Sequence, residues 1–290
     1  MLGFGRCVLW LLVTLFVLPL VGQEDATASA VETEGPAQLL ERGRQAFAAS
    51  NFAEAEEALE KFITDYGEAE EAREAARIHR PLVAISKVGV KKFDEALPWI
   101  EQSLSDPKLD LALKDELSFW KGICLMTAGE LVTAQRAFGE YWADESHQPF
   151  KRYEALLLFA TLYLQQDFPA DAADFLADQL PKYREVAPEA ASRAIVLEIY
   201  ARIDAGQLDD ALAILRREFP QLSEMTQVIS FQTLALQLGA KFLEEERWYE
   251  AIICFQRIWP AEKLVEHQSI KVIEIEDRIE VLRHRPQTQA

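Results

Sequence analysis

Asn51-Phe-Ala-Glu-Ala55, Lys92-Phe-Asp-Glu-Ala96, Glu130-Leu-Val-Thr-Ala134, Phe168-Pro-Ala-Asp-Ala172, Gln207-Leu-Asp-Asp-Ala211 and Arg247-Trp-Tyr-Glu-Ala251 are one segment written six times. The alanines step by 41, 38, 38, 39 and 40 residues, and each stands just inside an amphipathic stretch that follows a turn. A near-constant period of this size is the signature of stacked helical hairpins, in which each hairpin buries its apolar face against its neighbours. In five of the six a large apolar residue sits three before the alanine; the fourth has Pro169 there and Phe168 one place earlier, which predicts a turn one residue longer.

Twelve residues before the alanine a second small residue recurs: Gly43, Ala84, Gly122, Ala160 and Gly239. Four residues after it comes a large one: Leu59, Ile100, Phe138, Leu176, Leu215 and Phe255. Two small residues on paired helices let the backbones approach to about 8–10 Å while bulky neighbours interdigitate. The fifth unit has Ile199 at the upstream place, which predicts looser packing or a shifted register there.

Small residue, turn, aromatic, alanine and a bulky residue four further on resemble the tetratricopeptide repeat family over roughly residues 37–259. The chain departs from the family in its period, longer than the usual ~34 residues, in lacking most of the closing prolines, and in its variable bulky positions. The stretch Leu59 to Tyr66 resembles the longer second helices of such repeats in bacterial cell-envelope proteins. The resemblance implies an all-α, right-handed α-solenoid of about six hairpins that binds a peptide or protein segment in a concave groove lined by the first helices. Carried over by register, that face comprises Arg44 in the first unit, Glu116 and Ile123 in the third, Glu154, Thr161 and Gln165 in the fourth, and Arg193, Tyr200 and Asp204 in the fifth.

The rest of the chain sets the context. Val8 to Val21 is an apolar run of 14 residues behind a leader whose one charge is Arg6. A 14-residue helix reaches about 21 Å, short of a ~30 Å hydrocarbon core, so residues 1–22 read as a cleaved signal peptide rather than an anchor. Export to a periplasm or cell envelope is the corresponding expectation, with membrane contact only if the segment stays uncleaved. Residues 23–36 are acidic and small, an expected flexible linker. Residues 260–285 carry an apolar stripe through Ile275, Ile279 and Leu282, suited to a capping helix or the start of a further repeat, and residues 286–290 form a tail.

The net charge is −18, and removing the leader takes it to −19. Such a field repels phosphate backbones, which excludes nucleic acid as the expected partner; the basic strips Lys151-Arg152 and Arg283-His284-Arg285 are too short to reverse it. Cys124 and Cys254 fall in the third and sixth units, too far apart for a disulfide in a stack, and are expected as buried free thiols. His79, His147, His267 and His284 are scattered without metal-ligand spacing, and no phosphate-binding loop, dinucleotide fingerprint or nucleophile elbow is present. Acidic runs at Glu68–Glu71 and Glu244–Glu246 read as solvated helix faces. No cofactor, metal or catalytic residue is therefore expected. The function expected is a non-catalytic interaction scaffold of the bacterial envelope. A membrane-tethered assembly factor and the helical body of a cell-wall-acting enzyme stand as alternatives.

Overall fold

A computed structural model describes residues 34–184, 187–219 and 225–258. The expected signal peptide, nearly all of the linker, the capping helix, the tail, His267 and His284 lie outside the described residues. Within them the chain forms twelve helices and no strand: α1 (Pro36–Ala48), α2 (Phe52–Tyr66), α3 (Arg73–Gly89), α4 (Phe93–Leu104), α5 (Leu111–Thr127), α6 (Leu131–Ala143), α7 (Pro149–Gln165), α8 (Pro169–Tyr183), α9 (Pro188–Asp204), α10 (Leu208–Glu218), α11 (Met225–Glu244) and α12 (Trp248–Phe255). Helix α1 starts at Pro36, one residue inside the expected linker, because proline suits the first helical position. The chain packs as two compact units, Met1–Ala137 and Phe138–Ala290. In the first, α1 to α4 each pack on the next helix and α4 packs on α5; in the second, each helix from α7 to α11 does the same. First helices also touch across a hairpin, α3 on α5 in one unit and α7 on α9 and α9 on α11 in the other. This is the α-solenoid arrangement, a stack of antiparallel hairpins.

All six hairpins turn in one way. Ser50, Lys91, Gly129, Asp167, Gly206 and Glu246 have φ between 60° and 81°, and each stands five residues before its repeat alanine. The next residue's N–H reaches back to close the first helix: Asn51 to the Ala46 carbonyl, Lys92 to Lys87, Glu130 to Leu125, Phe168 to Tyr163, Gln207 to Arg202 and Arg247 to Phe242, at 2.8 or 2.9 Å. These are Schellman closures, which satisfy carbonyls that a helix end leaves orphaned. The fourth turn is no longer than the others, since Pro169 simply begins α8 where Phe, Leu or Trp begins the other second helices.

The small-residue rule also holds, at close range. A Cβ on Gly43 would stand 2.6 Å from the Leu59 side chain, and one on Gly239 would stand 2.5 Å from Phe255. Glycine is needed there because the bulky residue four after the alanine occupies the space. In the fifth unit Ile199 is fully buried and the turn stays in register, so the expected shift does not occur. Ala201, two residues on, clusters with Ala172 and Ala173 of α8, the second helix of the preceding hairpin.

Charge then ties one hairpin to the next. Lys87 of α3 is almost fully buried, and its Nζ lies 2.9 Å from Glu56 and 2.7 Å from Glu60 of α2, and 3.0 Å from Glu95 of α4. Lys92 adds a second contact to Glu56 at 2.7 Å. In the second unit Arg202 of α9 repeats the arrangement, reaching Asp174 of α8 and Asp210 of α10 at 3.7 Å each and Glu198 at 3.2 Å. Both cations stand nine residues before the repeat alanine. Burial pushes Glu56 up, but the hydrogen bonds from Lys92 and Lys87 outweigh it and hold the carboxyl below its ordinary value.

Two outcomes follow from these contacts. Lys91→Gly relieves a left-handed backbone and should stabilise the chain by about 0.5–1 kcal/mol, whereas Gly206→Val should cost about 1–2 kcal/mol, both read by urea denaturation. Lys87→Met leaves Glu56 buried with Lys92 alone and should cost about 2–4 kcal/mol. Because the Glu56 value is depressed on folding, its contribution is present above roughly pH 4.3 and lost as pH falls through the folded value, so this acid-sensitive part of the stability should shrink in the variant.

Candidate functional site

Register places the expected face on the first helices, and the structure sorts its members by unit. In the first unit Arg44 is exposed on α1, while Glu116 and Ile123 are half-buried on α5. The Glu116 carboxylate accepts a hydrogen bond from the Trp120 indole at 2.6 Å, which fixes its direction. Between them on α3 stands Ile78, a residue absent from the expected set. It is 49 % exposed and shares the register of Glu116, eighteen residues before the repeat alanine. That register was the available signal.

In the second unit Gln165 and Asp204 are exposed at the ends of α7 and α9, and Tyr200 is half-buried one turn before Asp204. Glu154 and Thr161 are buried, contrary to the expectation of groove positions open to a partner. Thr161 turns its hydroxyl onto the Leu157 carbonyl at 2.8 Å. Glu154 is covered because Arg193, from the neighbouring first helix, donates to its carboxylate. Burial pushes the Glu154 carboxyl above its ordinary value, and Arg193 only partly offsets this. Burial likewise raises Asp204, with Asp167 adding to the shift and Lys241 opposing it; Tyr200 is raised by burial and then by Asp204.

A shallow apolar recess lies beside the Glu154–Arg193 pair, lined by Tyr153, Leu156, Leu157, Tyr183, Ala190, Ala191 and Ala194. Tyr183 meets Tyr153 edge-on at 4.6 Å and Trp142 at 5.2 Å, and Arg152 lies 5.1 Å over the Trp142 ring. These rings fill one another's space and leave room for an apolar side chain rather than a drug-sized ligand. Cys124 and Cys254 are buried free thiols, each pushed up to about 12 by burial, which makes them poor nucleophiles. Among the described residues no group of three or more His, Cys, Asp or Glu is placed to hold a metal ion, and no helix is long and apolar enough to cross a membrane. The Glu68–Glu71 run lies in the turns between α2 and α3 rather than on a helix face, and Glu244–Glu246 forms the end of α11 and its turn. The exposed groups among the described residues offer hydrogen bonding, charge and apolar contact.

The fold is tetratricopeptide-repeat-like. The chain is similar to the apo form of RapI, with 13 % identity and a TM-score of 0.56 over 87 % of this chain and 72 % of that one. It is similar to BtubC from P. vanneervenii, with 12 % identity and a TM-score of 0.50 over 74 % and 89 %. A tetratricopeptide repeat protein from Parabacteroides merdae matches at 13 % identity and a TM-score of 0.42 over 86 % and 99 %. No protein-family model matches the sequence, and neither does any curated protein.

The Glu154–Arg193 pair makes Arg193 part of the packing between α7 and α9. Arg193→Glu places a second acid beside a buried one and should cost about 1–3 kcal/mol, the value for a buried pair being reduced because the Arg193 side chain is 35 % exposed. Thermal or urea unfolding measures this directly.

Proposed function

We propose that this chain is a non-catalytic scaffold that binds a protein or peptide segment on the faces lined by its first helices. The observation that carries the reading is the stack itself. Repeated hairpins present equivalent positions at regular intervals, and several of these, Arg44, Ile78, Gln165 and Asp204, remain exposed instead of being spent on packing. Extended faces of this kind suit an elongated segment better than a small molecule. The apolar run Val8–Val21 supports export, so the scaffold works in a bacterial periplasm or cell envelope.

Affinity capture from the native envelope tests the reading. Arg44→Glu with Ile78→Asp alters the first unit, and Gln165→Ala with Tyr200→Ala alters the second. At least one pair should reduce capture by about tenfold while helicity by circular dichroism is unchanged. Undiminished capture by both pairs, together with loss on altering the second helices, would move binding to the opposite face.

A further inference from the structure

Places eighteen, fourteen, eleven and seven before the repeat alanine fall on one face of each first helix. On α1, α5, α7, α9 and α11 that stripe holds at least one charged residue. On α3 it holds Ile78, Leu82, Ile85 and Gly89, with no charge and no polar side chain. Elsewhere along this length α3 is closed, with Val83, Ala84, Ser86, Lys87 and Val88 all buried. The stripe itself stays open, Ile78 being 49 % exposed and the other three half-buried. Beside it on α5, which packs on α3, Trp120 and Ile123 are half-buried too. The Trp120 indole N–H is given to Glu116 at 2.6 Å, which leaves only the ring's apolar surface to a partner.

An open helix face ordinarily carries polar residues, so contiguous apolar groups left on one mark an interaction surface. From Ile78 to Gly89 the strip runs about 16 Å, or about three turns of a helix laid along it. Charge at its flanks narrows the occupant. Arg44 holds on α1 the place that Ile85 holds on α3, and it is exposed. Among the described residues its guanidinium has no ion pair or hydrogen bond, in a chain where acids outnumber Lys and Arg by 48 to 30. Glu41, the acid one turn back, accepts from Gln45 at 2.7 Å instead. On the opposite flank Glu116 repels a second carboxylate. The uncharged strip therefore lies between a cation on one side and an acid on the other.

We propose that this face of the first unit docks an amphipathic peptide segment, whose apolar side chains lie on Ile78, Leu82, Ile85 and Trp120 and whose flanking acid meets Arg44. The proposal rests on the scaffold reading and adds the partner's chemical class. Charge complementarity also fixes the segment's direction, since its carboxylate belongs on the α1 side, away from Glu116.

The test uses the full chain and three labelled peptides with leucines three and four residues apart in a glutamine background. One carries a glutamate at the edge of the leucine stripe, one a lysine in its place, and the third has serines for the leucines. The glutamate peptide should bind, the lysine peptide about tenfold more weakly, and the serine peptide not at all. Ile78→Ser with Leu82→Ser should weaken both leucine peptides about tenfold while helicity by circular dichroism is retained. Arg44→Glu should reverse the preference between glutamate and lysine, a result that a misfolded chain does not give. A control, Val132→Ser with Tyr249→Ser, removes side chains that are 64 % and 71 % exposed on second helices and should leave binding unchanged. Equal loss in the control would assign binding to general apolar adhesion and overturn the proposal, as would an unchanged preference in Arg44→Glu. A dimer in sedimentation that the serine pair dissociates would make the strip an interface between copies and the peptide occupant wrong. If neither leucine peptide binds while the unaltered chain still captures a partner from the envelope, the amphipathic class is wrong and the scaffold reading stands.

Discussion

Every hairpin depends on the first helix being stopped and reversed within three residues, so that the second helix returns at the distance a small-residue contact allows. The reversal comes from a single residue in the left-handed region and the carbonyl that it frees for the following N–H. Only two of the six turns use glycine at that residue. The other four accept the backbone penalty, and the close packing of Gly43 on Leu59 or Gly239 on Phe255 shows what opposes it: burial at van der Waals contact along the whole hairpin. In the hairpins with those glycines, a longer turn or a larger residue at the small position would separate the two helices and lose that burial.

Ion pairs act one level above. Lys87 and Arg202 sit at equivalent places, each reaching the second helix of the preceding hairpin and the second helix of its own. A buried lysine is costly unless several carboxylates meet it, and Lys87 has three. The acids at the starts of the second helices, Glu54, Asp94, Glu95, Asp171, Asp209, Asp210 and Glu250, also face the positive ends of their helices. Much of the chain's negative charge is therefore structural.

Several polar and reactive groups on the first helices are already engaged or buried. The two thiols are buried and pushed up, the Glu154 carboxylate is occupied by Arg193, and Thr161 is satisfied by its own helix. What remains open on the first helices is a series of single polar or apolar groups at repeat spacing, the kind of surface an extended partner can meet at several points in turn.

The sequence by itself determined the hairpins: the alanine period, the upstream small residue and the bulky residue four further on are local demands of helix pairing, and turns and helix starts fall where they require. It also placed the candidate residues on first helices, because register alone sets a helical face. Only the tertiary structure decided which of them are available. Ile78, Glu116, Glu154 and Arg193 share one register, yet Ile78 is half-exposed and Glu154 is buried, because the Arg193 side chain from the neighbouring helix closes over it. That Ile199 is fully buried without shifting the fifth turn was hidden for the same reason. Burial depends on which side chains arrive from other hairpins, some 39 residues away in the case of Glu154 and Arg193, and that is not written in the local pattern.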